Sequence, residues 1–203
     1  VLEKESVFGQ TFSYKGEEFA ISLAGVYQKE NAVTALNALE ELDRLGWTTT
    51  MEQRKDGLLH TSWKGRFTVI NKKPLFIVDG AHNAGASDKM AESVRHYFNG
   101  KKLIYIMGVF ADKEYKIVLE KTAHFAEKIY TIETPDNPRA LPAEELAKAA
   151  RVYNSSAEST KSIKDAVEKA FSCAGDDENS AILAFGSLSF IGALTNAVEE
   201  YVG

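Results

Sequence analysis

"LFIVDGAHNAGA", residues 75–86, passes from four apolar residues into an acid, a glycine, a histidine and an asparagine, and then into an alanine-rich stretch with helical spacing. An uninterrupted apolar run suits a strand buried on both faces of a parallel sheet. The polar residues after it then occupy a strand-to-helix turn, which in an open α/β sheet borders the crevice where ligands sit. Asp79 and Gly80 can equally serve as turn residues and Asn83 as a helix cap, with no ligand required.

The pattern continues toward the C-terminus. "FTVI" and "LFIV" flank a turn at residues 71–74, and "LIYIM", "KIYTI" and "AILAF" are further apolar strands. The helices between them carry one apolar face each, such as Met90, Val94, Tyr97 and Phe98, or Ile163, Ala166, Val167, Ala170 and Phe171. Pro142 with Glu144 and Glu145 marks a helix start, and Asp112 is expected to be an N-cap. Residues 61–203 are therefore expected to form an α/β domain with a mainly parallel sheet and helices on both faces.

Residues 1–60 follow another rhythm. Residues 6–27 alternate and turn at glycines, as in a hairpin or a pair of edge strands. Ala32, Ala35, Leu36, Leu39, Leu42 and Leu45 then share one face of an expected helix that stops at Gly46, and a short second helix is expected over 51–59. The boundary between the two parts is expected at residues 60–64.

Composition narrows the function. The chain has 203 residues, 44% of them apolar, enough for a sizeable core. Its 29 acidic and 24 basic residues are scattered in short mixed runs, with no basic stripe to follow a nucleic-acid backbone. Cys173 is the only cysteine, which excludes an internal disulfide framework and a multi-cysteine zinc site and agrees with a reducing, cytoplasmic setting. No apolar run is long enough to span a membrane. The first residues show neither a signal peptide nor an initiator Met, so an excised piece of a longer protein is expected.

No GxGxxG follows a strand, no GxxxxGK[ST] or GxSxG is present, and His60, His82, His96 and His124 lack metal-ligand spacing. What remains is a set of strand ends: Asp79 to Asn83, "GVFADKE", "ETPDNPRALP" and "GSLSF". In a parallel sheet all four would converge on one rim.

Five stretches, in order, resemble the motifs of one family, the folylpolyglutamate synthases with the bifunctional dihydrofolate synthases, within the Mur ligase superfamily. "GVYQKENAVTAL" is similar to the family's G-x-[HY]-Q-x-x-N-A helix start, "WKGRF" to its W-x-G-R-[FL], and "IVDGAHN" to its D-x-A-H-N. "NPRALPAEEL" and "AFGSLSFIG" resemble its later segments. One departure is Ala84, where the family usually has Pro; Pro there would only stiffen the helix start.

The resemblance implies a Rossmann-like Mur ligase C-terminal, glutamate-binding domain at 61–203, preceded at 1–60 by the tail of a P-loop ATP-binding domain. The P-loop and the Mg²⁺ ligands would lie upstream of Val1. The implied enzyme is an ATP-dependent amide-forming ligase of folate and one-carbon metabolism. A folate carboxylate takes the γ-phosphoryl group of ATP, and the amine of L-glutamate displaces phosphate from the acyl phosphate. Arg66 and His82 would be catalytic; Asn31, Arg66 and Asp79 would face ATP, and His82 and Ser187 the glutamate. Folate or dihydropteroate, L-glutamate, ATP and Mg²⁺ are the expected ligands, the full-length protein is expected to be a cytoplasmic monomer, and the 203 residues alone are expected to be inactive. The alternatives are a peptidoglycan-precursor Mur ligase and a non-enzymatic module that holds a small anion on the sheet's rim.

Overall fold

The two rhythms of the sequence correspond to two compact units, one ending at Arg66 and the other spanning Phe67–Gly203. The computed structural model describes residues 2–203.

The first unit opens with a three-stranded antiparallel sheet, β1 (Leu2–Ser6), β2 (Gly9–Tyr14) and β3 (Glu17–Ile21), one strand more than the sequence suggests. Lys15 and Gly16 both have positive φ between the paired residues Tyr14 and Glu17, the two-residue hairpin turn that matches strand twist. Helix α1 (Gln28–Arg44) lays Ala32 and Leu36 on Phe12, Phe19 and Ile21 to form a small core. The hairpin reaches along the helix as far as Glu40, which pairs with Lys15. Leu36 is buried by its own unit, whereas Leu42 and Leu45, expected on the buried face, are 43% and 75% exposed. Gly46, at φ +95°, ends α1: its N–H donates to Asp43 O and that of Trp47 to Leu42 O, as a left-handed terminal residue allows. Helix α2 (Met51–Leu59) starts with a reciprocal capping box between Thr50 and Gln53, and Arg54 pairs with Asp43 to fix the turn between the helices.

In the second unit β4 (Thr68–Lys72) and β5 (Leu75–Val78) form an antiparallel hairpin. Then follow α3 (Ala84–Tyr97), β6 (Lys102–Met107), α4 (Tyr115–Thr122), β7 (Lys128–Thr131), α5 (Ala143–Ala150), β8 (Ala157–Ser159), α6 (Ile163–Ala174), β9 (Ser180–Phe185) and α7 (Ile191–Val202). The sheet order is β4-β5-β9-β6-β7-β8, with every pair parallel except β4 with β5. Phe76, Val78, Ile104, Ile106, Tyr130 and Ile182 pack against α6 and α7. By the alternation of the pleat, Ile77, Tyr105 and Leu183, equally buried, point the other way. Burial on both faces is why these strands read as continuous apolar runs. Among the described residues no helix is long and apolar enough to cross a membrane.

Three local expectations are corrected. The edge strand β8 is absent from the sequence reading because it is three residues long and carries Glu158 and Ser159. Asp112 is not a helix cap: α4 begins at Tyr115 behind Glu114, and the Asp112 carboxylate pairs with Arg139. Asn31, which the resemblance to the G-x-[HY]-Q-x-x-N-A motif sets at a helix start, is not the cap either. Tyr27 is the N-cap, and Asn31 lies in the first turns of α1 with its Nδ2 donating to Gln28 Oε1 at 2.9 Å.

Candidate functional site

In the second unit the crossovers decide where a ligand can enter. β5, β6 and β7 are each followed by a connection that advances along the sheet, whereas β9 lies between β5 and β6 and leads into α7, packed on α6. Helices on opposite faces leave neighbouring strand ends apart, and the crevice opens there. Its floor is tied by backbone bonds. Asp79 N donates to Ala184 O at 2.9 Å, and Gly108 N to Phe185 O at 3.3 Å. Gly186 sits at φ +116°, and a Cβ there would come within 2.5 Å of Gly108 O, so only glycine lets the β9 and β6 ends approach this closely.

Asp79 is buried. Its Oδ1 accepts the Ala81 N–H at 2.7 Å and its Oδ2 the Phe67 N–H at 2.9 Å. Phe67 has φ +46° and packs its ring 5.7 Å from Tyr97 and 6.2 Å from Phe98. His82 is half-buried, with Nδ1 2.8 Å from Gly80 O. Since a carbonyl can only accept, Nδ1 carries a proton and Nε2 is the ring nitrogen left for a ligand. Asn83 caps α3, its Oδ1 accepting from Ala86 N at 2.9 Å.

Ser187, buried at the end of β9, caps a short 3₁₀ turn, Leu188–Phe190, and not α7, which starts at Ile191 behind Phe190. Its Oγ accepts from Ser189 N at 3.3 Å and lies 2.7 Å from Ser189 Oγ. The structure thus brings Asp79, His82 and Ser187 to neighbouring strand ends on one edge of the sheet. Asn31 and Arg66 belong to the first unit. There the guanidinium of Arg66 lies 5.5 Å over the Trp63 ring, and the backbone N–H of Arg66 donates to Trp63 O at 3.2 Å.

Residues that the sequence reading left without a role join the rim. Arg139 donates to both carboxylate oxygens of Asp112 and holds that carboxyl below the usual range. Glu114 Oε2 accepts the Ala84 N–H at 3.2 Å. The opposite charges of "ADKE" and "NPRA" were a visible signal, but their pairing depends on β6 and β7 being neighbours.

Comparison with known proteins agrees with this fold. Residues 65–188 match the family model for the Mur ligase, glutamate ligase domain. The chain is 29% identical over 189 residues, 90% of its length and 43% of the relative's, to a dihydrofolate synthase/folylpolyglutamate synthase of Bacillus subtilis. Its fold is similar to that of Mycobacterium tuberculosis folylpolyglutamate synthase complexed with ADP and AMPPCP, with a TM-score of 0.80 at 22% identity over 99% of this chain and 47% of that one. It is also similar to folylpolyglutamate synthase from Thermotoga maritima, with a TM-score of 0.79 at 25% identity over 98% and 46% of the two chains. The chain spans less than half the length of the curated relatives it matches. With residues 65–188, well over half of the chain, matched by its model, the chain belongs to the Mur ligase, glutamate ligase domain family.

Proposed function

We propose that this chain supplies the glutamate-handling part of an ATP-dependent ligase that joins the amine of L-glutamate to a folate carboxylate, the activity named for its folylpolyglutamate and dihydrofolate synthase relatives. What supports the reading most is that the polar ends of β5 and β9 are neighbours at the switch point of a glutamate-ligase-family sheet. In the same reading residues 1–60 are the tail of an ATP-binding domain and 61–203 the glutamate-binding domain of a cytoplasmic protein, monomeric at full length.

The reaction transfers the γ-phosphoryl group of ATP to the folate carboxylate, releasing ADP. The glutamate amine then attacks the acyl carbon, loses a proton and displaces phosphate. Such chemistry needs charge neutralisation and positioning more than a covalent intermediate on the protein. Arg66 serves the first need, since a guanidinium holds phosphate oxygens in two-pronged fashion. Asn31 and Asp79 act toward the nucleotide. His82 presents Nε2 as an acceptor that orients the incoming amine, and Ser187 acts on the glutamate α-carboxylate. Mg²⁺ would neutralise the ATP phosphates, but among the described residues no group of three His, Cys, Asp or Glu side chains could hold a metal, so no step is assigned to it in this chain.

The test uses the full-length protein that contains this chain, supplied with ATP, L-glutamate and either folate or dihydropteroate. Phosphate release that requires both organic substrates is expected. Release that ignores glutamate would overturn the reading, as would a peptidoglycan precursor serving in place of the folate.

A further inference from the structure

The loop after β6 and the loop after β7 are joined more closely than their lengths require. Ala111 N donates to Arg139 O at 2.8 Å and Leu141 N to Val109 O at 3.0 Å. On this backbone frame the Arg139 guanidinium forks onto Asp112, with Nε 3.2 Å from Oδ1 and a terminal nitrogen 2.5 Å from Oδ2, and it lies 4.9 Å over the Phe110 ring. Both side chains of the pair are 52% exposed. An ion pair so exposed adds little to stability, so its consequence is geometric. It lies where residues 110–114 leave the strand, and so bears on the direction they take.

That direction matters at the next loop. Glu114 Oε2 accepts the N–H of Ala84, the first residue of α3, which immediately follows His82 and Asn83. The opening N–H groups of a helix have no partner within it, and here one comes from the neighbouring strand's loop while Asn83 Oδ1 takes Ala86 N. The path from Arg139 to the turn that carries His82 therefore consists of the Arg139–Asp112 ion pair, the short stretch of chain from Asp112 to Glu114, and the Glu114–Ala84 hydrogen bond.

We infer that Arg139 is a positioning residue for the strand-end site, holding the His82 turn through the Asp112–Glu114 loop. The inference rests on the ligase reading above. In the full-length protein, Arg139→Ala and Asp112→Asn should each raise KM for L-glutamate about tenfold with kcat altered less than about twofold, as when a binding group is displaced and not removed. Arg139→Lys keeps the charge without the fork and should recover only part of the loss. In a Glu114→Ala background, Arg139→Ala should add nothing further, because the path is already cut. Independently of activity, amide exchange at Ala84 in this chain should quicken in each of the Arg139→Ala, Asp112→Asn and Glu114→Ala variants. Unchanged exchange at Ala84 in folded Arg139→Ala would overturn the inference, as would an unchanged KM or an undiminished effect in the Glu114→Ala background. A wild-type protein that never ligates glutamate overturns the ligase reading instead, and the exchange rates still decide what Arg139 does.

Discussion

Asp79 holds Phe67: its Oδ2 accepts the Phe67 N–H at 2.9 Å while Oδ1 accepts Ala81 N–H at 2.7 Å, so one buried carboxylate at the end of β5 fixes both the strand-to-helix turn and a residue twelve positions earlier. Phe67 is almost wholly buried at φ +46°, a conformation that a residue with a side chain keeps only when its surroundings impose it. Asp79→Ala leaves two buried amide hydrogens without this acceptor and should destabilise the second unit by about 1–3 kcal/mol per orphaned group. Asp79→Asn should fall between, since the amide keeps one acceptor oxygen and turns a donor toward the other N–H. Urea denaturation of the chain measures both. Wild-type stability in Asp79→Ala would show that the carboxylate is not what holds the turn.

The approach of β9 to β6 makes a second prediction. At Gly186 a Cβ would meet Gly108 O at 2.5 Å and Val109 Cγ1 at 2.9 Å on a backbone at φ +116°, so Gly186→Ala should cost about 1–3 kcal/mol through strain and overpacking. Gly192 is the control. It lies in α7, where a Cβ meets nothing within 4 Å, and Gly192→Ala should stabilise by roughly 0.5–1 kcal/mol. Thermal melts of the two variants should therefore move in opposite directions.

At the edge strand the prediction concerns acid. Lys128 at 2.8 Å, and then Lys169 at 2.7 Å, bond the Glu158 carboxylate in β8 and pull its pKa from 4.5 to about 2. A carboxylate lowered on folding contributes stability above its unfolded value and loses it as pH falls through the folded value. The contribution should therefore be complete above about pH 4.5 and gone near pH 2. Because the group is half exposed, Glu158→Gln should cost no more than about 1 kcal/mol at neutral pH. The difference in melting temperature between variant and wild type should shrink across that acid window. A constant difference would mean that the lysines do not act through charge.

Much of this fold was legible because local pattern and global role coincide. Burial on both faces made the middles of β5, β6, β7 and β9 apolar, and Gly46 and Asn83 carry the chemistry of helix ends. What escaped depended on partners distant in sequence. Glu158 makes an edge strand only because β7 and two lysines lie beside it. Asp112 looks like a cap until Arg139 takes its carboxylate, and the apolar face of α1 was read as continuous because periodicity does not reveal where the covering sheet ends. At the site, the residue types at the strand ends were readable, but the backbone partners of Asp79 and Ser187 were not.

The last prediction concerns Arg66 and presupposes the proposed ligase. The 203 residues contain no phosphate-cradling glycine loop, so by themselves they should show no glutamate-dependent ATP turnover. In the full-length protein, Arg66→Ala removes a guanidinium proposed to neutralise charge on the transferring phosphoryl group. A transition-state contact of this kind contributes about 3–4 kcal/mol, or roughly two to three orders of magnitude in kcat. Arg66→Lys keeps the charge but not the two-pronged geometry, so kcat should fall by more than nucleotide affinity does. The guanidinium also stacks on Trp63 at 5.5 Å, so a purely structural role would lower thermal stability in both variants while leaving kcat at saturating substrate near wild type. Measuring kcat, nucleotide affinity and melting temperature together separates the two roles, and near-wild-type turnover in a folded Arg66→Ala protein would remove Arg66 from the chemistry.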